Sequence, residues 1–265
     1  MTTTRILRAV RDWRRYGYPL IALTRRDLQK RYAGSILGVA WTVVQPLTLI
    51  VVYVVVFGVV LRTDRGAGTF TFVLSLLCGM LPYLAINDAL QRCSFALRED
   101  KTLLERESFP APVIPASRVV TASVGELVGL TIVVIMALVG GVASPWIVML
   151  PVLVLLRFAL TLALGWIVSL LAVFISDLNE MLSLLLTVWL FLTPVFYPPD
   201  AVPHALRWTL WVNPLHHVAS AYRAVIMGGR APWPETGWLV LDVVVVLGCA
   251  VWFFRNGIDR GKDLL

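Results

Sequence analysis

Charged residues are scarce in this sequence, and their scarcity excludes most soluble folds. Only 15% of the 265 residues are charged and 58% are hydrophobic, with a mean hydropathy of +0.81. Soluble domains carry about 25% charged residues and are roughly half apolar. Several apolar runs here are also long enough to cross about 30 Å of hydrocarbon, which takes about 20 helical residues. The composition therefore predicts an integral membrane protein.

Cysteine and histidine are too few and too scattered to build a metal centre. The three cysteines form no CxxC pair, and the three histidines have no cysteine or carboxylate at a convincing ligand spacing. These residues are Cys78, Cys93, Cys249, His204, His216 and His217. We expect no disulfide framework and no metal site, and we interpret the cysteines as small packing residues.

The residue patterns of enzymes and nucleotide sites are missing as well. No Ser/His/Asp or paired-carboxylate arrangement stands out, and no GxxxxGK[ST] phosphate loop occurs. We therefore expect no catalysis, no cofactor and no ATP site in this chain. The Arg-rich first 35 residues have no apolar run ending in a small-residue cleavage site, so we also expect no cleavable signal peptide.

The sequence does contain six apolar runs that predict membrane-spanning helices. They lie at 36–61, 70–92, 113–140, 147–175, 181–197 and 237–254. We predict an all-α integral membrane protein of about six transmembrane helices in a single domain, 1–265. Its parts are an interfacial segment at 1–35, a six-span region at 36–254 and a tail at 255–265.

Basic residues are distributed unevenly between the two sides of these spans. The N-terminal segment carries nine, region 92–118 carries five and the tail carries three of the 23 Lys and Arg residues. Lys and Arg concentrate in cytoplasmic loops. With an even number of spans, both termini are predicted to be cytoplasmic.

The segment before the first span has apolar residues at helical spacing, at Trp13, Tyr16, Leu20 and Leu23. With arginines around them, they predict an amphipathic helix on the cytoplasmic membrane face. The alternative is a simple topology signal whose basic residues bind anionic lipid.

Two further segments outside the spans are predicted to form helices. Segment 98–109 is charged and free of Gly and Pro until Pro110, so it predicts a cytoplasmic helix suited to docking, or simply a polar loop. Segment 196–236 is interrupted by six prolines and predicts short interfacial or re-entrant helices at the outer face.

Four charged side chains fall inside predicted spans, where each is costly unless it faces protein or water. They are Asp88, Glu126, Arg157 and Asp242. Arg157 and Asp242 both lie toward the outer half of their spans, so an ion pair between them is our hypothesis.

The beginning of span one carries the most specific motif of the chain. It reads Arg31-Tyr32-x-x-Ser35-x-Leu37-Gly38-x-x-Trp41-x-x-x-x-Pro46, preceded by Arg26-Asp27-Leu28. The motif resembles the membrane permease subunit of bacterial ABC exporters for cell-surface polysaccharides, which serve O-antigen, teichoic acid or capsule export. Later matches follow in order at Gly79-Met80-Leu81-Pro82-Tyr83, Phe109-Pro110 with Pro115, Asp177, Asn213-Pro214, Tyr222-Arg223 and the tail 260–265. Ser176 departs from the Arg expected before Asp177 in many relatives.

The resemblance implies a half-transporter in the bacterial inner (plasma) membrane. It would pair with itself as a homodimer and with two copies of a separate ABC ATPase subunit, which would hold ATP and magnesium. Its cargo would be a polyprenyl diphosphate-linked glycan, and its other contacts would be membrane lipid, with no nucleic acid.

Three groups of residues are candidates for this transport. A cationic entrance for the lipid diphosphate would use Arg25, Arg26, Lys30 and Arg31, since arginine binds phosphate oxygens in a bidentate way. Aromatic rings lining a channel would be Trp41, Tyr53, Phe57, Tyr83, Trp189 and Tyr197, with packing or interfacial positions as the alternative. The ATPase-docking helix would present Arg98, Lys101, Leu104, Glu105 and Phe109.

Two other functions remain open from the sequence. A drug or lipid exporter could use the same permease architecture. A membrane-embedded transferase acting on a lipid-linked substrate would need clustered carboxylates or histidines, whereas the acidic residues here are dispersed.

Overall fold

The computed structural model describes residues 13–56, 68–105, 109–229 and 231–264, and all regular structure in these ranges is helical. Helix α1 spans Trp13–Tyr32, and a 3-10 turn at Gly38–Ala40 leads into α2, Trp41–Tyr53. The following helices are α3 Thr69–Glu99, α4 Lys101–Leu104, α5 Val113–Val139, α6 Leu150–Phe174, α7 Leu178–Leu192, α8 Trp208–Val212, α9 Pro214–Met227 and α10 Trp233–Leu264. The all-α membrane architecture is confirmed.

Each predicted span contains an apolar helix. Four are long enough to cross a membrane by length and composition, namely Thr69–Glu99, Val113–Val139, Pro145–Phe174 and Trp233–Gly261. The two others are shorter apolar helices, Trp41–Val56 and Leu178–Leu192. The second has 15 residues and is therefore only about 22 Å long.

Helix α7 ends earlier than the predicted span 181–197. Pro194 disfavours helical backbone at the residue before it, and Thr193 is extended, with φ −95° and ψ 132°. The chain then continues through Pro198 into short 3-10 turns and α8. The short helices expected between spans five and six are present.

Helix α3 is the centre of the bundle. Its apolar window is 67% buried, against 22% for α10. Small residues allow neighbours to approach closely, because a Cβ added at Gly165 of α6 would lie 2.9 Å from the sulfur of Cys93. Cys78 and Cys93 are buried packing residues, as predicted, whereas Cys249 is exposed.

Helix α1 packs against one end of this bundle, where α4 and the last turns of α10 also lie. We name it the basic end, because each of these three segments carries Lys or Arg residues. Leu23 is buried, and Tyr16 and Leu20 are half-buried, against apolar residues of α3, α5, α6 and α10. Tyr18 and Ile21 are 82% and 69% exposed. One apolar side of α1 thus contacts protein, while these two side chains are exposed.

The predicted helix at 98–109 is wrong as a single element. Arg98 and Glu99 form the last turn of α3, the backbone breaks at Asp100 with φ −107° and ψ 26°, and α4 is one short helix. The physical reason is that the Asp100 carboxylate is held by arginines from α1 and α5, 2.7 and 2.9 Å away, which fixes a corner in the chain. Residues 106–108 lie outside the described ranges.

Candidate functional site

A cleft opens between α1, α2, α3 and α5, and we name it the entrance cleft. Its inner part has a volume of about 450 Å³ and reaches from Arg31 at one end to Glu126 inside the bundle. An adjoining part of about 540 Å³ shares Arg31 and Trp41 with it and adds Ser35 and Arg92. The cleft therefore has a polar mouth, near the basic end, and an interior walled largely by apolar side chains of α2 and α3.

The turn between α1 and α2 shapes this mouth. Gly34 and Gly38 have φ of +76° and +51°, conformations that residues with a Cβ rarely adopt. The Trp41 indole Nε1 donates a hydrogen bond to Ser35 Oγ at 2.9 Å, and Thr42 Oγ1 donates to Tyr32 Oη at 2.9 Å. Most of the polar and glycine positions of the motif at span one thus hold the wall of the cleft in shape.

The charges of the mouth are one carboxylate and two guanidinium groups. Arg31 Nη1 lies 2.8 Å from Asp88 Oδ2, and Arg92 Nε lies 2.8 Å from Asp88 Oδ1. The side chains of Arg31, Asp88 and Arg92 are 19%, 30% and 31% exposed, so water reaches all three. The Arg31 guanidinium also lies over the Tyr32 ring, 5.7 Å from its centroid.

At its inner end the cleft meets a fully buried ion pair. Glu126 of α5 binds Arg157 of α6, and both side chains are 0% exposed. The Tyr222 hydroxyl of α9 donates to Glu126 Oε1 at 3.1 Å, and Arg157 donates to Ser123 Oγ at 3.2 and 3.3 Å. These hydrogen bonds offset part of the desolvation cost of a buried charge pair, and Arg157 Nε alone of the Arg157 nitrogens has no hydrogen-bond partner among the described residues. We name these four residues the buried pair cluster.

The hypothetical pair between Arg157 and Asp242 is therefore wrong. Asp242 of α10 instead lies 2.6 Å from His217 Nδ1, and the His217 ring stacks on Trp238 with centroids 5.7 Å apart. Arg157 faces α5 rather than α10, because Glu126 is within its reach.

A second charge network joins α1 to the corner between α3 and α4. Arg118 of α5 binds the carboxylates of Asp27, Glu99 and Asp100, and its side chain is 7% exposed. Arg26 adds a hydrogen bond to Asp100 at 2.7 Å, and this bond raises the pKa of Arg26. Sequence reasoning missed Asp27, Asp100 and Arg118 as a unit, although Arg26-Asp27 belonged to the motif quoted above.

The four predicted entrance cations do not lie in one place. Arg31 lines the cleft, and Arg26 is bound to Asp100 in the Arg118 network. Arg25 and Lys30 are exposed side chains of α1. Arg92, which was not predicted as a site residue, is the second cation of the mouth.

The predicted docking residues divide into exposed and packed side chains. Arg98, Lys101 and Glu105 are exposed at the corner. Leu104 is only 5% exposed and Phe109 is half-buried, and both pack against the apolar cluster beneath α1. The charged residues thus face outward on a corner that the apolar ones attach to the bundle.

The predicted channel aromatics are spread over several environments. Trp41 lines the entrance cleft, Tyr53 packs against the core, and Tyr83 is buried with its hydroxyl donating to Leu186 O at 3.1 Å. Trp189 donates to Asn213 Oδ1 at 2.7 Å, and Tyr197 donates to Phe191 O at 2.7 Å. Phe57 lies outside the described residues.

Arg223 is an anchor at the end of the bundle opposite α1. Its guanidinium donates to the backbone carbonyls of Ser75, Pro194 and Val195 at 2.9, 2.9 and 3.0 Å. These bonds attach α9 to α3 and to the segment after α7, and those to Pro194 and Val195 satisfy carbonyls where the chain leaves regular helix. The sequence analysis placed Arg223 in the outer segment 196–236, and no local signal indicated this role.

The chain is similar to one family model and to several known transport proteins, and these similarities agree with one another. The model of the ABC-2 type transporter family matches residues 18–227. The O-antigen export system permease protein RfbA of Myxococcus xanthus is 34% identical over 245 residues, which cover 91% of this chain and 93% of that protein. A protein of the same name from Klebsiella pneumoniae is 26% identical over 93% of this chain and 94% of its own length. The polysialic acid transport protein KpsM of Escherichia coli is 22% identical over 89% and 92%. The chain therefore belongs to the ABC-2 type transporter membrane family.

Proposed function

We propose that this chain is the membrane-spanning subunit of an ATP-driven ABC exporter that moves a lipid-linked, O-antigen-like polysaccharide out of the cytoplasm. The observation that carries the proposal is the similarity to the Myxococcus xanthus O-antigen export permease over 91% of this chain and 93% of that protein. Membership of the ABC-2 family supports a transport role without catalysis in this subunit.

ATP hydrolysis is assigned to a separate ABC ATPase subunit, present in two copies with ATP and magnesium. The support is that the sequence contains no GxxxxGK[ST] phosphate loop. The docking surface is the corner that exposes Arg98, Lys101 and Glu105. Because Arg118 ties this corner to α1 and α5, a push on the corner would move all three elements together.

A homodimer is proposed because one copy leaves two apolar helices largely uncovered. In α2, Leu47 and Val51 are 42% and 59% exposed, and in α7, Leu184 and Phe191 are 70% and 63% exposed. A polar polymer needs a path shielded from lipid, and two copies that face each other across these helices would enclose one. Trp41 and Trp189 lie on these helices and are candidates for its aromatic lining.

The lipid end of the substrate is assigned to the entrance cleft. Its mouth offers Arg31 and Arg92 to phosphate oxygens, and the exposed Arg25 and Lys30 lie on the same helix as Arg31. Its apolar interior suits a prenyl chain. Because the substrate is proposed to enter from the cytoplasm, the basic end and both termini are assigned to the cytoplasmic side, in agreement with the distribution of Lys and Arg.

The test is reconstitution of this chain with its candidate ATPase in vesicles, with ATP hydrolysis and glycan translocation measured together. Lys101→Ala with Glu105→Ala is expected to weaken assembly and to uncouple hydrolysis from transport, since both side chains are exposed at the corner. The matched control is Asp200→Ala, an exposed carboxylate at the opposite end of the bundle. A chain that binds no ATPase, moves no glycan and yet modifies a lipid substrate alone would replace the exporter with the transferase.

A further inference from the structure

The mouth of the entrance cleft holds one carboxylate between two arginines. Each oxygen of Asp88 accepts one of them at 2.8 Å, Oδ2 from Arg31 and Oδ1 from Arg92. The carboxylate therefore occupies the position that a bound anion would take between these guanidinium groups. Two positive charges against one negative charge leave the mouth with a net positive charge.

We propose that Asp88 is a resident counter-ion that makes the mouth selective for a diphosphate head group over singly charged phosphodiester lipids. The inference rests on the proposed function, in which a lipid-linked substrate enters through this cleft. The inference adds that Asp88 determines which lipid head group binds, because its carboxylate competes with that head group for the two arginines.

The selectivity follows from the number of charges that compete for the arginines. A phosphodiester lipid brings one negative charge, as Asp88 does, so exchanging one for the other gains little. It also leaves the Asp88 carboxylate beside a second anion, which is unfavourable at partial burial. A diphosphate that joins a lipid to a sugar brings one charge on each of two phosphoryl groups and more acceptor oxygens than a phosphodiester, so it can bind Arg31 and Arg92 at once.

The surroundings of the pair are built for a head group with an apolar tail. Arg31 is held over the Tyr32 ring and Trp41 is held by Ser35, so the cation and the nearby wall are ordered before a ligand arrives. Beyond the mouth, Pro46 and Leu81 line an interior of about 450 Å³. A prenyl chain can occupy this interior while the diphosphate remains at the partly hydrated mouth.

The experiment uses the full-length chain in nanodiscs of phosphatidylcholine, with geranylgeranyl diphosphate as the probe. Phosphatidylglycerol is titrated into the discs as the singly charged competitor. Inorganic diphosphate and geranylgeraniol, measured separately, distinguish binding through the head group alone from binding through the tail alone. For the wild-type chain we expect saturable probe binding that phosphatidylglycerol inhibits weakly.

Asp88→Asn is expected to let phosphatidylglycerol inhibit at a concentration about tenfold lower, because the arginines lose their resident anion. Asp88→Glu keeps the charge and is expected to keep the selectivity. Arg92→Gln is expected to weaken probe binding roughly tenfold, since one charge-assisted bond is lost. The matched control is Asp177→Asn, which removes an exposed carboxylate at the same end outside the cleft and should behave as wild type.

The outcomes separate this inference from the function on which it rests. If Asp88→Asn folds, binds the probe and shows the lipid preference of the wild type, Asp88 does not select and the inference is overturned while the exporter stands. If neither the wild-type chain nor Asp88→Asn binds the probe although the reconstituted complex exports glycan, the cleft is not the diphosphate entrance. The assignment of the lipid end to the cleft and the selective role of Asp88 are then both overturned.

Discussion

The mouth of the entrance cleft and the buried pair cluster use the same chemistry in two different environments. Both place arginine against a carboxylate, yet the mouth residues are between 19% and 31% exposed, while Glu126 and Arg157 are 0% exposed. A buried pair that loses one partner leaves an uncompensated charge, whereas a hydrated pair exchanges partners at little cost. Burial therefore makes one pair a structural tie between helices and leaves the other free to exchange its carboxylate for a ligand.

The largest effect is expected from removing one member of the buried pair. Arg157→Ala leaves Glu126 charged inside the bundle and should destabilise the fold by roughly 3–5 kcal/mol. Thermal unfolding of the detergent-purified chain measures the change. Adding Glu126→Gln should restore most of the loss, because the orphaned charge is then gone.

Asp242→Asn is the control for that rescue. Asp242 binds His217 and not Arg157, so it should add its own small effect and restore nothing. Rescue by Asp242→Asn in place of Glu126→Gln would mean that the pairing described for Arg157 is wrong.

The next largest effect is expected at the Arg118 network at the basic end, in which the side chains of Arg118, Asp27 and Asp100 are nearly as buried as the pair cluster. Arg118→Gln removes the cation shared by Asp27, Glu99 and Asp100. We expect α1 to loosen from the bundle at a cost of about 2–3 kcal/mol, since charge-assisted hydrogen bonds are lost and a carboxylate remains buried. Hydrogen exchange of α1 amides should rise well above that of α9.

Arg98→Gln is the matched control for Arg118→Gln. It removes an exposed arginine of the same corner and should leave exchange in α1 unchanged. If α1 stays equally protected in both variants, its apolar contacts rather than the charges hold it in place.

A smaller effect is expected from the hydroxyl that completes the buried pair cluster. Tyr222→Phe removes one hydrogen bond to Glu126 and keeps the ring, so we expect a loss of about 1 kcal/mol. In the background of Glu126→Gln the same substitution should cost less, because the partner is no longer an anion. A double-mutant cycle on thermal unfolding measures the coupling, and additive effects would place the tyrosine outside the cluster.

The spans, the short outer helices and the helical segment before span one were predictable because hydrophobic length and periodicity are local properties. The partner of Arg157 was not, because depth along a helix does not tell which side of it a residue faces. Measured along its own helix from the outer end of the bundle, Arg157 lies about 10 Å from Leu150 and Asp242 about 13 Å from Trp233, whereas Glu126 lies about 20 Å from Val139. The similar depths predicted a pair with Asp242. The structure pairs Arg157 with Glu126 because the two side chains lie on the sides of α6 and α5 that face each other, and the long arginine side chain spans the difference in depth.

The corner at Asp100 shows the same limit for a helix boundary. Nothing in the local sequence from Arg98 to Glu105 prevents a continuous helix, since it contains neither Gly nor Pro. The break is fixed by Arg26, 74 residues away in the chain, and by Arg118. The mouth was partly predictable, because Arg31 stood in the motif, Asp88 was recognised as a costly charge, and Arg92 follows Asp88 at the i,i+4 spacing of a helical pair. The contact between Arg31 and Asp88 was not, because it depends on how α1 meets α3.

Substitutions in the mouth should have the smallest effect on stability. The same substitutions should have the largest effect on transport. Arg92 and Asp88 form an i,i+4 pair that is about a third exposed, so Arg92→Gln should change the free energy of unfolding by only about 0.3–0.5 kcal/mol. If the pair serves substrate rather than fold, glycan export by the same variant should fall severalfold while ATPase assembly is retained. A large loss of stability, or full export, would remove the distinction between an exchangeable pair and a structural one. Arg31→Lys sharpens it further, because lysine keeps the charge that sets topology and lacks the planar fork that binds phosphate oxygens.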